Sequence, residues 1–363
     1  MITSETSFKL LNIWDGDYFS NRDGVVNNHQ LEIQLQIRAA LNSKLLVNGE
    51  EVIADQTVFH CPVTLKKGEN TIHIVDQKSG HERKLVVYYL DTFEKKYRLS
   101  IDDCIWFLKD LHEHRHQYKS LFDNPYLKFL KQLHEDYETK IHLNLFYSTE
   151  DFNLSEMTDQ YKSEWESNAD WIQLSFHAES EFPDMPYVDA SYQKVEEDCA
   201  KVHKEILRFA GPTLLSTTTT VHWGSANLEG CRALKVAGYK SLVGYFNVDD
   251  DLPPVSYYLS TDQRRHLKQR YIWRDKEEDL LFVRASMVVD TVALEEIDSH
   301  LNKNADEEGR LPRFADFLVH EQYFYSHYFN YQRDYRDRII AAVKWAKKNG
   351  YTSAFVENSF KIK

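Results

Sequence analysis

Strict alternation of apolar and polar residues marks the first part of the chain. Residues 31–37 alternate without a break, and the pair Asn48-Gly49 separates two further apolar runs. Alternation is typical of a strand with one buried face, and Asn-Gly between apolar runs predicts a tight hairpin. Short runs of this kind continue to Tyr89 without any helical spacing. Residues 1–92 are therefore predicted to form an all-β sandwich of immunoglobulin type.

From about Tyr97 the pattern changes to apolar runs separated by segments with helical spacing. Residues 125–134 and 191–210 have the periodicity of amphipathic helices, and the intervening runs are short and apolar enough for buried strands. Such alternation predicts a parallel sheet, here closed or nearly closed into a (β/α) barrel over residues 97–363. The acidic, proline-containing segment 249–254 is predicted to be a solvated loop.

Composition and charge narrow the range of partners. The net charge of −13 argues against binding to nucleic acid or to an anionic membrane surface. The chain contains 22 Tyr, 20 Phe and 7 Trp, and aromatic rings pack well on sugar faces, although they also fill cores. Four scattered cysteines read as reduced thiols, and no signal-peptide or membrane-spanning pattern is seen, so a cytoplasmic location is expected. The oligomeric state stays open.

Residues that bind metals or move protons end three of the predicted barrel strands. These are the pair Asp102-Asp103, then His177, then His320. Adjacent side chains at a strand end point in different directions, so one carboxylate can bind a metal while its neighbour acts as a base. Glu181 follows His177 by four residues, a spacing that places both on one side if a helical turn follows the strand. A single histidine of this kind is more often a structural, hydrogen-bonded residue, and it is the shared position at strand ends that favours a functional role.

With these residues in place, the chain from about Tyr97 to Lys363 resembles the polysaccharide deacetylases, the NodB-homology family of distorted (β/α) barrels. The similarity is carried by four motifs: Ser100-Ile101-Asp102-Asp103 in place of Thr-Phe-Asp-Asp, His177-Ala178-Glu179-Ser180-Glu181 in place of His-Ser/Thr-x-x-His, Thr220-Val221-His222-Trp223-Gly224 in place of Arg-x-Pro-x-Gly, and Leu318-Val319-His320 in place of Leu-x-His. The chain looks like a divergent branch of that family.

The resemblance implies roles for the matched residues. Asp102 would be the general base, Asp103 and His177 would bind a divalent metal ion, expected to be zinc, and His320 would protonate the departing amine. Glu181 stands where the family has its second histidine ligand, and a carboxylate can still bind zinc.

Two further departures concern the third motif. Thr220 replaces the arginine that braces the base in the family. His222 replaces a proline and is predicted as a replacement ligand, a substrate contact or a packed residue. The aromatic residues near these loops are predicted either to form a sugar platform or to belong to the core; the candidates for substrate binding are Trp223, Tyr323 and Phe324.

Three functions fit these observations. The first is a metal-dependent hydrolase that removes an N- or O-acetyl group from a carbohydrate. The second is a catalytically degenerate barrel that binds a glycan or a sugar metabolite, favoured by the missing arginine and histidine. The third is a glycosidase that uses a carboxylate pair such as Asp103 and Glu181.

Overall fold

The computed structural model describes residues 7–41, 43–52, 57–248 and 255–360, which form two compact units. The first contains the described residues up to Glu94, together with Ile272–Asp279 and Phe360. The second contains Lys95–Tyr271 and Leu280–Ser359. The sequence prediction, with domains 1–92 and 97–363, differs in assigning Ile272–Asp279 and Phe360 to the second domain. The predicted loop 249–254 lies outside the described residues.

The secondary structure mixes strands and helices. The strands are β1 Phe8–Leu10, β2 Tyr18–Phe19, β3 Val25–Asn27, β4 Gln30–Ala39, β5 Leu45–Val47, β6 Glu50–Val52, β7 Val58–Leu65, β8 Gly68–Asp76, β9 Glu82–Tyr89, β10 Lys96–Cys104, β11 Ile141–Phe146, β12 Ser148–Thr149, β13 Phe152–Asn153, β14 Ile172–Ala178, β15 Thr218–Thr219, β16 Ser241–Gly244, β17 Ile272–Asp275, β18 Leu280–Arg284, β19 Met287–Val288, β20 Phe314–His320 and β21 Thr352–Ser353. The helices are α1 Trp106–Glu113, α2 Pro125–Tyr137, α3 Lys162–Ser167, α4 Tyr192–Phe209, α5 Leu228–Val236, α6 Thr261–Arg270, α7 Ile297–Asn302, α8 Tyr335–Lys348 and α9 Val356–Ser359. Within the described ranges, every helix is too short or too polar to cross a membrane.

Two sheets build the first unit. One has the order β1-β4-β3 with β7 also paired to β4, and the other has the order β2-β9-β8-β5-β6. The alternation of β4 buries Leu31, Ile33, Leu35 and Ile37, and apolar residues of both sheets share one core. The predicted hairpin is confirmed: β5 and β6 pair antiparallel around Asn48-Gly49, both with positive φ, as a type I′ turn requires.

Parallel strands build the second unit. Its larger sheet has the order β14-β11-β10-β20-β19, with β21 also paired to β10, and a second parallel set has the order β15-β16-β18. Nearly all residues of β10, β11, β14 and β20 are buried, as expected for strands covered on both faces. The multidomain α/β content predicted from the sequence is therefore observed.

The polar strand ends lie at one edge of the larger sheet. Strands β10 and β20 pair in parallel, with Asp102 directly opposite His320. Strand β11 lies between β10 and β14, and Asn144 of β11 is opposite Ser175 of β14. Because carboxyl ends of parallel strands meet at the same edge, Asp102, His177 and His320 come together there.

Candidate metal centre

The backbone at the end of β10 is irregular where the two carboxylates occur. Pairing between β10 and β11 shifts register between Ile101 and Cys104, and Asp103 has a φ of 60°. A left-handed backbone is uncommon outside glycine and costs about 1–3 kcal/mol, a strain that recurs at functional sites. The neighbouring carboxylates consequently have different partners: Asp103 contacts His177 and His222, and Asp102 contacts Asn144.

Three atoms of the kind that bind metals converge at Asp103. Its Oδ1 lies 2.9 Å from Nε2 of His177 and 3.1 Å from Nδ1 of His222, and the two nitrogens are 3.2 Å apart. All three residues are buried. Ligands of a tetrahedral zinc ion, at about 2.0–2.1 Å from the metal, lie about 3.3 Å from one another. A slight opening of the group therefore accommodates such an ion.

Backbone carbonyl groups fix which nitrogen of each imidazole faces this point. Nδ1 of His177 lies 2.5 Å from the carbonyl oxygen of Thr220, and Nε2 of His222 lies 3.0 Å from that of Glu181. Because a carbonyl oxygen only accepts hydrogen bonds, each of these nitrogens must donate its N–H. In neutral imidazoles, the other two nitrogens then direct lone pairs toward the Asp103 carboxylate. Three acceptors facing one another require a cation or an extra proton, and metal-binding histidines commonly have such a carbonyl partner.

The pKa shifts of Asp103 and His177 apply to the metal-free site, in which a proton occupies the position of the metal ion. Burial opposes the charge on Asp103, but hydrogen bonds from His177 and His222 hold its pKa well below the usual range. Burial lowers the pKa of His177, whereas the charges of Asp102 and Asp103 raise it, and the net effect is a raised pKa. Since ligands must be deprotonated, binding of a divalent ion here should release a proton.

A series of hydrogen bonds holds Asp102 beside the group formed by Asp103, His177 and His222. Its Oδ1 accepts a hydrogen bond of 2.5 Å from Nδ2 of Asn144, whose own Oδ1 accepts from the hydroxyl of Ser175. Burial raises the pKa of Asp102, although the charges of His177 and His320 oppose this effect. A buried carboxylate with a raised pKa is a stronger base than an exposed one.

His320 is paired with a carboxylate that the sequence prediction did not include. Oδ2 of Asp290 lies 2.9 Å from Nδ1 of His320 and also accepts from its backbone N–H at 2.6 Å. Gln332 and Arg338 donate to the backbone carbonyl of Asp290, which fixes its position. Burial lowers the pKa of His320, but the carboxylates of Asp290, Asp103 and Asp102 together raise it to about 10, with Asp290 contributing most. The contact with Asp290 thus favours the protonated imidazole.

Replacing Asp290 by asparagine should lower the pKa of His320 from about 10 toward about 6.5, because the paired charge is removed while the shape is kept. A raised histidine pKa stabilises the folded chain below about pH 6.5, and this stabilisation is lost as the pH rises through about 10. NMR titration of the His320 ring measures the shift directly. Asp298→Asn on α7 is the control and should leave it unchanged; an unchanged pKa in Asp290→Asn would refute the pairing.

Among the described residues, Asp102 forms no ion pair with an arginine. The hydroxyl of Thr220 is buried and has no hydrogen-bond partner among the described residues. Arg98, four residues before Asp102 on β10, is fully buried, and it pairs with Asp316 at 2.8 Å and donates to Nδ1 of His142 at 3.1 Å. The positive charges that oppose the raised pKa of Asp102 come from His177 and His320.

Glu181 and the predicted aromatic residues take different positions. The side chain of Glu181 is outside the group of three ligand atoms, and only its carbonyl contacts His222. The Trp223 side chain is 41% exposed, with its ring centre 6.3 Å from that of His222. The ring centre of Tyr323 lies 5.9 Å from that of His320. Phe324, by contrast, packs on the buried rings of Tyr126 and Tyr335.

Sequence signals existed for some of the residues missed. Asp290 directly follows the apolar run 281–289, the same strand-end position as Asp102. Asn144 is a polar residue inside the largely apolar run 141–146. Glu321 follows His320, and its carboxylate accepts hydrogen bonds from the backbone N–H groups of residues 105–107, which fixes the start of α1 beside Asp103.

No protein-family model matches the chain, and no curated protein matches it in sequence.

Proposed function

We propose that the second unit is a distorted (β/α) barrel of polysaccharide deacetylase type and that the first is an immunoglobulin-like sandwich. The order of parallel pairing supports the barrel: β20, β10, β11 and β14 follow one another, as do β15, β16 and β18. A single bridge between Leu174 and Leu215 connects β14 to the residues before β15. For the first unit, the support is two strand-only sheets around one core.

We further propose that this protein is a metal-dependent hydrolase that removes an acetyl group from a carbohydrate. The observation that carries the proposal is the convergence of three lone-pair atoms, on Asp103, His177 and His222, with both imidazole N–H groups committed to carbonyl oxygens. Zinc suits this set of two nitrogens and one oxygen. Bound there, a divalent ion supplies polarisation of the acetyl carbonyl and a lowered pKa of the attacking water.

The other groups provide the proton transfers that hydrolysis of an amide needs. Asp102 accepts the proton of the attacking water, for which its burial and raised pKa suit it. His320, directly opposite Asp102 and charged through Asp290, donates a proton to the leaving nitrogen. The glycosidase alternative fits less well because the Asp103 carboxylate is already engaged by two imidazoles.

The role of His320 provides the test of this proposal. The zinc-loaded protein should release acetate from an N-acetylglucosamine tetramer and from 4-nitrophenyl acetate. His320→Ala should reduce amide hydrolysis by about 10²-fold and hydrolysis of the activated ester much less, because nitrophenolate leaves without protonation. A structural histidine would instead affect both substrates alike. Equal losses, in a variant that still binds zinc, would contradict the acid role.

A non-catalytic barrel that binds a glycan is the second candidate. The observation that favours it is Thr220, which stands where the deacetylase family has the arginine that braces the base and whose hydroxyl has no hydrogen-bond partner in the part of the chain that the structure describes. A non-catalytic protein would bind the N-acetylglucosamine tetramer and release no acetate from it or from 4-nitrophenyl acetate. In both candidates the partner is a carbohydrate, and the net charge of −13 argues against nucleic acid and anionic membrane surfaces as partners.

A further inference from the structure

A groove of about 740 Å³ in the second unit lies beside the candidate metal centre. Phe146 lines it, and the centre of this ring lies 5.2 Å from that of His177 and 5.1 Å from that of His222. Ile105, two residues after Asp103, lines the groove as well. A chain molecule with one unit at the metal centre can therefore place its next unit in the groove.

Carboxylates outnumber cations along this groove. Lys109 lines the groove, and its ammonium lies 2.5 Å from Asp151 and 3.8 Å from Glu113. Its positive charge is therefore compensated by other residues of the groove. Glu150 and Glu181 also line the groove, and in the part of the chain that the structure describes neither is paired with a lysine or an arginine. The groove therefore carries uncompensated negative charge, which attracts a cationic ligand and repels an anionic one.

A buried acceptor points to a ligand independently of these charges. Gln322 is only 2% exposed, lines the groove, and its side-chain Oε1 has no hydrogen-bond partner within the described residues. An unsatisfied buried polar atom is destabilising, so a ligand that donates a hydrogen bond to this oxygen would be favoured. Oxygen acceptors from Gln322, Glu150 and Glu181 together suit a group rich in N–H donors.

Aromatic side chains at the same groove favour a sugar as the carrier of that group. Trp106 lines the groove and is held by rings of Tyr325 and His327, with centroids 5.3 Å and 4.9 Å away. Phe182 lines it too and is 70% exposed. Rings of this kind pack on the apolar faces of sugars, and an indole also attracts an ammonium group.

We propose that this groove binds an amino-sugar unit with a free ammonium group, next to the unit whose acetyl group is removed. The proposal rests on the proposed function for the position of the reacting unit. It means that the preferred substrate is a partly deacetylated amino-sugar chain rather than a fully acetylated or an anionic one.

Calorimetric binding to the zinc-loaded full chain carrying Asp102→Asn, a substitution expected to keep zinc and to leave the acetylated tetramer largely unhydrolysed during a titration, tests this inference. A glucosamine tetramer should bind about tenfold more tightly than an N-acetylglucosamine tetramer at low salt, and the difference should shrink at high salt. Glu150→Gln and Glu181→Gln should each reduce the preference several-fold. Glu150 is exposed, so its replacement should leave folding intact, and the exposed Glu295→Gln, outside the groove, is the control that keeps the preference.

The possible outcomes distinguish a failure of the groove assignment from a failure of the proposed hydrolase activity. Equal binding of the two tetramers, or tighter binding of the acetylated one, would overturn the groove assignment even if acetate is released. Tetralysine binding as tightly as the glucosamine tetramer would overturn the sugar part of the assignment. A clear preference for the amine without acetate release from any substrate would support the groove and contradict the hydrolase.

Discussion

His177→Ala should bind zinc more than about 100-fold more weakly than the unaltered chain. Loss of a partner that only orients a ligand typically costs 10–100-fold in metal affinity, and His177 itself supplies one of three donor atoms. His222→Ala should have an effect of the same size, because its Nδ1 lies as close to Asp103 as a ligand in one site must. Competition titration against a chelator of known affinity measures both.

Glu181→Ala is the matched variant for this prediction. The spacing from His177 made Glu181 a candidate ligand, but its side chain lies outside the converging group. Zinc affinity should therefore stay within about threefold of that of the unaltered chain, since alanine keeps the backbone carbonyl that holds His222. Equal zinc content in the unaltered chain and His177→Ala, or a larger loss in Glu181→Ala than in His222→Ala, would refute the ligand set.

Asp102→Asn should keep zinc and lose about 10²–10⁴-fold in kcat/KM for the N-acetylglucosamine tetramer. Asparagine has nearly the same shape, and its carbonyl oxygen can still accept from Nδ2 of Asn144, so the fold and the triad should be unchanged. What it lacks is a group that can take the proton of the attacking water. Acetate release and zinc content measured on the same preparation separate these effects.

Asp103→Asn gives the complementary result and serves as the comparison. It weakens a ligand contacted by two imidazoles, so zinc and activity should fall together. If Asp102→Asn also loses zinc, the neighbouring carboxylates share one role. If it retains full activity, Asp102 is not the base.

Local patterns predicted the parts of the fold that local physics determines. The alternation of residues 31–37 lies within β4, and Ser191, at the start of the predicted helix 191–210, accepts from the backbone N–H of Lys194 as the cap of α4. The apolar run 315–320 is contained in β20, with His320 as its last residue. Each of these segments has its periodicity and its end signals within about twenty residues.

Local sequence patterns could not predict contacts between residues that are distant in the chain. Asp290 precedes His320 by thirty residues, and their pairing depends on how β19 and β20 lie side by side. The interpretation of Glu181 assumed a helical turn after His177, but β14 ends at Ala178 and the structure has no helix between there and α4. His222 reaches the site because Trp223 and Gly224 adopt positive φ in a tight turn. No sequence pattern at these residues predicts that turn.

The most direct test of the account is anomalous diffraction from crystals grown with zinc, with data recorded above and below the zinc absorption edge. The account predicts an anomalous peak at about 2.0–2.2 Å from Oδ1 of Asp103, Nε2 of His177 and Nδ1 of His222. An anomalous zinc peak at another position, or no anomalous peak among these three atoms at saturating zinc, would contradict it.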